Sequence, residues 1–341
     1  MKYLPPMLLG GLLSLLTPLY GQFPPAQPAT GPGGYDYPHA SVSVHGPYQP
    51  PKHVGDHWYD YYIYEPAEPK PAQAPVVLFV PGYGAWLPQQ YWGLITHMAR
   101  KGYTVVWARA DQSLFAVWQF ADDAGAAWAD ALKRLDQDPE LVRPLRDEVS
   151  RPLTGMMGHS IGGWITPIMA SRAGAGKTDY PAPKGIFLSA PGQGLAWPED
   201  LSKMRPETKL VMTIGDRDFI SCTGAVSQVW AGTPQIPDAN KDFLLIHSEK
   251  RGIFDLSSGH EHTTGFIPFG GWVDSVDYYA VFKLAEAVMD CGIYGKNCSY
   301  AVGNGAPEQL SMGVWSDGQE AVPMSWYADP SAIPAISGCR Q

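Results

Sequence analysis

The run Pro75-Val-Val-Leu-Phe-Val80 is apolar from Val76 onward and stops at Pro81-Gly82. A strand with one wet face alternates apolar and polar residues. An unbroken run fits a strand buried on both faces, as in a parallel sheet covered by helices. More runs of strand length follow at Tyr103–Ala108, Leu153–Met157, Gly185–Ala190, Lys209–Ile214 and Phe243–His247. Helix-like segments lie among them at Gln89–Lys101, Phe120–Leu135, Ile161–Arg172 (ended by Gly174), Gly224–Trp230 and Ser275–Met289. This alternation predicts the α/β class, with a doubly wound, mostly parallel sheet. Two earlier segments, Ser41–His45 and Trp58–Tyr64, read as strands, the second stopped by Pro66. They predict an antiparallel leading edge. The stretch after Met289 reads as an irregular tail, and no internal repeat is present.

The chain has 341 residues, 45% hydrophobic and 17% charged, a balance that belongs to globular proteins. Its formal net charge is −9, and Lys and Arg are scattered. Nucleic acid is therefore excluded as a partner class, and attraction to anionic lipid is disfavoured. Lys2 and the leucine-rich stretch Leu4–Leu19, followed by Gly21, read as a secretory signal peptide over residues 1–21. Pro5, Pro6, Pro18 and the shortness of the run argue against a full membrane span of about 20 residues. The expected location is periplasmic or extracellular, with no integral span after cleavage. Residues 22–38, rich in Pro, Gly and Gln, read as an extended, poorly ordered lead-in. Residues 39–341 read as one domain.

Cysteine usage agrees with export. The four cysteines are Cys222, Cys291, Cys298 and Cys339. An even number in an exported chain fits disulfides, although four cysteines allow three pairings. Cys291 and Cys298 bracket a short loop and are expected to pair, which leaves Cys222 for Cys339. Neither a CxxC pair nor an HExxH stretch occurs, so no metal site is expected. Nothing implies an organic cofactor, and the oligomeric state is not legible.

The segment Gly158-His159-Ser160-Ile161-Gly162 lies between the strand-like Leu153–Met157 and the helix-like Ile161–Arg172. Gly-x-Ser-x-Gly alone is a weak motif. At a strand-to-helix turn it forces strained backbone at the serine and projects its hydroxyl above the sheet. A serine needs a base, and the base needs an orienting acid. In this arrangement the chain order is serine, acid, histidine. The strand Lys209–Ile214 runs into Gly215-Asp216-Arg217-Asp218, which offers Asp218 first and Asp216 as the alternative. Beyond the last strand, Ser257-Ser-Gly-His-Glu-His262 offers His260 first and His262 as the alternative. His247 reads as a packed strand residue, Glu261 as a solvated charge, and His159 as a neighbour in the turn. Two backbone donors are expected for an oxyanion: Ile161 N–H, and Tyr83 N–H in the loop Pro81–Trp86. The rings of Tyr83 and Trp86 are candidates for lining an acyl or aromatic pocket.

Together these motifs resemble the α/β-hydrolase superfamily over about residues 40–295. The Pro81-Gly82-Tyr83 turn and the apolar residue after Ser160 look like its cutinase and polyester-hydrolase branch. Longer stretches resemble a group of secreted bacterial hydrolases. These are Asp36–Ala40, Gly232–Pro237 with Ala239–Phe243, and Gly313–Gly318. The resemblance implies ester hydrolysis through an acyl-enzyme and supports Asp218, and His260 at its distance from Ser248–Gly252. The chain departs from many hydrolases in carrying Val80-Pro81 where they carry His-Gly. Many relatives place a large cap between the strands that end and begin near Ala190 and Lys209. Here that segment is short, so no large cap domain is expected and bulky or polymeric esters could reach the site. A histidine base predicts activity that rises as the imidazole loses its proton. The rivals are a lipase or peptidase of the same fold, and, in another class, a hydrolase-like binding protein without catalysis.

Overall fold

The computed structural model describes residues 23–110, 114–192, 199–265 and 272–333, together with 336 and 339. The expected signal peptide at 1–21 and residues 193–198 of the short segment after Pro191 lie outside the described residues. In chain order the elements begin with β1 (Ser41–Tyr48), β2 (Tyr61–Ala67), β3 (Gln73–Ala74), β4 (Val76–Val80), α1 (Trp92–Arg100), β5 (Thr104–Ala108) and α2 (Phe120–Gln137). Then come β6 (Arg143–Pro144), β7 (Thr154–His159), α3 (Ile161–Gly174), β8 (Gly185–Ser189), β9 (Lys209–Gly215), α4 (Gly224–Gly232) and β10 (Lys241–Ile246). The chain continues with β11 (Glu249–Arg251), β12 (Phe254–Leu256), α5 (Lys283–Tyr294), α6 (Cys298–Ala301), α7 (Pro307–Leu310) and β13 (Ser325–Tyr327).

Nine strands form one mixed sheet in the order β1-β2-β5-β4-β7-β8-β9-β10-β13. The five pairings from β5 through β10 are parallel. The edges are antiparallel: β1 with β2, β2 with β5, and β10 with β13. Helices cover both faces, which makes this an α/β fold. The apolar run at 76–80 is unbroken for that reason. Val76, Leu78 and Val80 join the core beneath α2, α3 and α4, while Val77 and Phe79 join the core beneath α1 and α5. Each such side chain contributes about 1.5–3 kcal/mol when fully buried. Among the described residues, no helix is long and apolar enough to cross a membrane.

Three expectations need correction. Trp58 belongs to a short 3-10 turn, His57–Tyr59, and the strand starts at Tyr61 and runs through Pro66. Pro66 is tolerated because β2 pairs with β5 only over Tyr61–Tyr64; opposite Val42 it has β1 alone as neighbour. Among its described residues the lead-in carries no regular strand or helix, yet it is fastened rather than loose. Gly33 N–H donates to the buried Glu286 carboxylate, and the carbonyls of Pro25 and Ala26 accept from Ser275 and Tyr279 hydroxyls. Finally, the tail supplies the ninth strand. Its anchor is buried Asp242 on β10, which accepts from Asn304 N–H, Gln309 Nε2 and Trp326 Nε1. Both expected disulfides form, Cys222–Cys339 with Cα atoms 5.8 Å apart and Cys291–Cys298 at 4.7 Å.

Candidate active site

The turn between β7 and α3 is built by close approach. A Cβ on Gly162 would stand 2.0 Å from the Val80 carbonyl oxygen, and one on Gly158 would stand 2.4 Å from the Gly162 oxygen. With glycine at both positions the helix starts directly against the sheet. Ser160 takes the strain, with φ 53° and ψ −122°. A non-glycine residue in that region is uncommon and costs of order 1–3 kcal/mol. Its hydroxyl is left facing the loops beyond the sheet.

Two of those loops converge on it. Asp218 lies in the turn after β9, where its N–H donates to the Gly215 carbonyl. That turn touches the loop after β12: a Cβ on Gly215 would overlap the Ser258 carbonyl, and Arg217 N–H donates to it at 3.2 Å. The contact carries His260 between Ser160 and Asp218. His260 Nε2 is 2.9 Å from Ser160 Oγ, and His260 Nδ1 is 3.0 Å from Asp218 Oδ2. Burial alone would raise the Asp218 carboxyl. The His260 hydrogen bond and charge, with the N–H groups of Ser221 and Ile220, instead hold it below the usual carboxylate range.

The two alternatives face elsewhere. Asp216 accepts from both the hydroxyl and the N–H of Ser248, at 2.6 and 2.9 Å. His262 donates from Nδ1 to the Gly259 carbonyl and accepts at Nε2 from the Ser189 hydroxyl. His247 packs as a strand-end histidine, with Nε2 2.7 Å from Ser325 Oγ. Glu261 is not an ordinary solvated charge: burial raises its carboxyl above the usual range, and it lines a small hollow of about 150 Å³ with Asp274 and Asp277.

The loop after β4 comes up beside the serine. A Cβ on Gly82 would stand 3.2 Å from Ser160 Cβ. Gly82 N–H is already committed to the Tyr91 hydroxyl at 3.0 Å, so Tyr83 carries the next N–H of this loop. The Ile161 N–H belongs to the first turn of α3, where helix amides have no intrahelical acceptor and favour negative charge. A side chain at Gly192 would stand 3.2 Å from that nitrogen, so glycine there leaves room. Tyr83 and Trp86 are 50% and 58% exposed, and Trp86 meets exposed Trp58 edge to face.

Three further side chains adjoin the site with no sequence motif to mark them. Ser221 lies 3.2 Å from His260 Nδ1 and donates its hydroxyl to the Ala190 carbonyl. Tyr91 and His159 lie behind the serine and bond to each other. They are 68 residues apart, and no local pattern pairs them. A scan against protein-family models finds no match, and no curated protein shows significant similarity to this chain.

Proposed function

We propose that the chain is a secreted serine hydrolase of the α/β-hydrolase fold that cleaves carboxylic esters through an acyl-enzyme. The observation that carries this reading is the unbroken path from Ser160 Oγ, on a serine held at positive φ, through His260 to Asp218, at 2.9 and 3.0 Å. His260 Nε2 takes the serine proton as Oγ attacks the ester carbonyl carbon. Asp218 fixes the ring with Nδ1 protonated and stabilises the imidazolium. The N–H groups of Ile161 and Tyr83 receive the oxyanion. Collapse expels the alcohol, which takes its proton from His260. Water, deprotonated by the same nitrogen, then releases the acid and restores Ser160.

The exposed Tyr83, Trp86 and Trp58 support an open site of the cutinase and polyester-hydrolase kind, which bulky or polymeric esters could reach. Two disulfides support an oxidising, extracytoplasmic location. The deciding experiment is labelling by a fluorophosphonate, followed by a panel of short-chain, long-chain and polymeric esters beside peptides. Wild type should label and turn over esters, whereas Ser160→Ala should do neither, losing on the order of 10⁶-fold in kcat. A wild type that neither labels nor turns over would leave the binding-protein reading standing, and preference for long-chain esters or peptides would favour the lipase or peptidase.

A further inference from the structure

His159 is almost wholly buried, at 2% exposure, and both of its ring nitrogens are occupied. Nε2 lies 3.0 Å from the backbone carbonyl oxygen of His260, which can only accept, so Nε2 carries the hydrogen. Nδ1 is therefore unprotonated and accepts from the Tyr91 hydroxyl at 2.8 Å. That hydroxyl in turn accepts the Gly82 N–H at 3.0 Å. One directed chain of hydrogen bonds thus runs from Gly82 N–H to Tyr91 Oη–H to His159, and from His159 Nε2–H to the His260 carbonyl. Its two ends are the turn that precedes Tyr83 and the backbone of the residue proposed as the base.

We propose that His159 is a positioning residue, which with Tyr91 locks the base-bearing loop and the Gly82-Tyr83 turn in register on either side of Ser160. The inference rests on the acyl-enzyme reading above. Geometry gives it its force. The His260 ring reaches Ser160 only if its backbone is held at the right height, and its own carbonyl is the group His159 grips. The ring of His159 also lies beside that of His260, with centroids 5.0 Å apart. A second cation so close would be costly. Burial and the neighbouring His260 push His159 down to about 3, so it stays neutral and keeps its direction of donation. An ordinary core histidine would fill space; this one joins two loops that belong to different strands, β4 and β12.

The test uses the full chain with His159→Phe, His159→Gln and Tyr91→Phe, and measures kcat and KM separately on a soluble ester. Glutamine can still donate to the His260 carbonyl. Phenylalanine at 159 should lower kcat about 100-fold with little change in KM, while glutamine recovers most of the loss. Tyr91→Phe, which deletes one oxygen, should lower kcat in the same manner. Fluorophosphonate labelling should slow in parallel with kcat while the melting temperature identifies the folded fraction. Unchanged kcat in the folded variants would overturn the inference, and so would a glutamine variant as impaired as the phenylalanine one. If His159→Phe does not fold, the other two variants decide. A wild type that does not label would instead remove the function reading on which the inference depends.

Discussion

At the scale of single residues, the site separates groups that look equivalent in the sequence. Asp216 and Asp218 sit two positions apart on one turn, yet one is held by Ser248 and the other by His260. Asp218→Asn should therefore lower kcat on the order of 10⁴-fold, because the amide favours the wrong tautomer of the histidine. Asp216→Asn should leave kcat within about threefold of wild type, since its carboxylate faces Ser248 and His247 just past β10 and not His260. Steady-state kinetics on the two variants decide the matter; equal losses would mean that Asp216 acts on the reaction as well. The pairing is invisible to a linear reading because both carboxylates follow the same strand. Packing of the β9 turn, at Gly215 and Arg217, against Ser258 in the loop after β12 brings one of them to the histidine.

At the scale of elements, the β7–α3 turn is where local sequence speaks most clearly. Glycines at 158 and 162 are required by contacts within the turn and with adjacent β4, so the motif and its geometry coincide. Gly162→Ala should push α3 off the Val80 carbonyl, destabilise the protein by about 1–3 kcal/mol and reduce kcat as Ser160 shifts. Thermal melts and kinetics on that variant check both effects, and a variant with wild-type stability and rate would show that the turn has slack. Other elements were less legible. β13 is three residues long and holds its place through Asp242, Trp326 and the β10 edge, not through any period of its own. Pro66 reads as a stop and is not one, because the strand is single-sided there. Lys283 gives no outward sign of its place in the core. Its ammonium donates to three carbonyls, of Glu308, Gln309 and Ser311, and thereby ties α5 to the end of α7.

At the scale of the whole molecule, both loop closures and buried neutral histidines shape stability. Cys222–Cys339 closes a separation of 117 residues and fastens the tail beside the Asp218 turn. His159 and His262 are both pushed down by burial, His159 to about 3. An unfolded chain takes up protons on these rings below about pH 6.5 more readily than the native protein does, so stability falls as pH falls through that window. Asp218, held below the usual carboxylate range, adds to the loss at still lower pH, as its own proton arrives. Between about pH 7.5 and pH 5, His159 alone should account for a loss of about 2 kcal/mol. Urea unfolding at the two pH values measures it, and His159→Phe should flatten the dependence. A midpoint that is unchanged or rises toward pH 5 would contradict this account.

The α/β class, the parallel centre of the sheet with its antiparallel leading edge, and the turn at Ser160 are all legible in the linear order of residues. These rest on local physics: unbroken apolar runs for strands buried on both faces, and glycines where backbones touch. The sequence also pointed to the two disulfides that the structure contains. Tertiary structure alone decided which aspartate and which histidine face Ser160, how the lead-in and tail are fastened, and that Tyr91 and His159 connect two loops. Each of those outcomes depends on contacts between segments tens to hundreds of residues apart. No periodicity or turn chemistry records them, because the partners become neighbours only when the sheet has assembled.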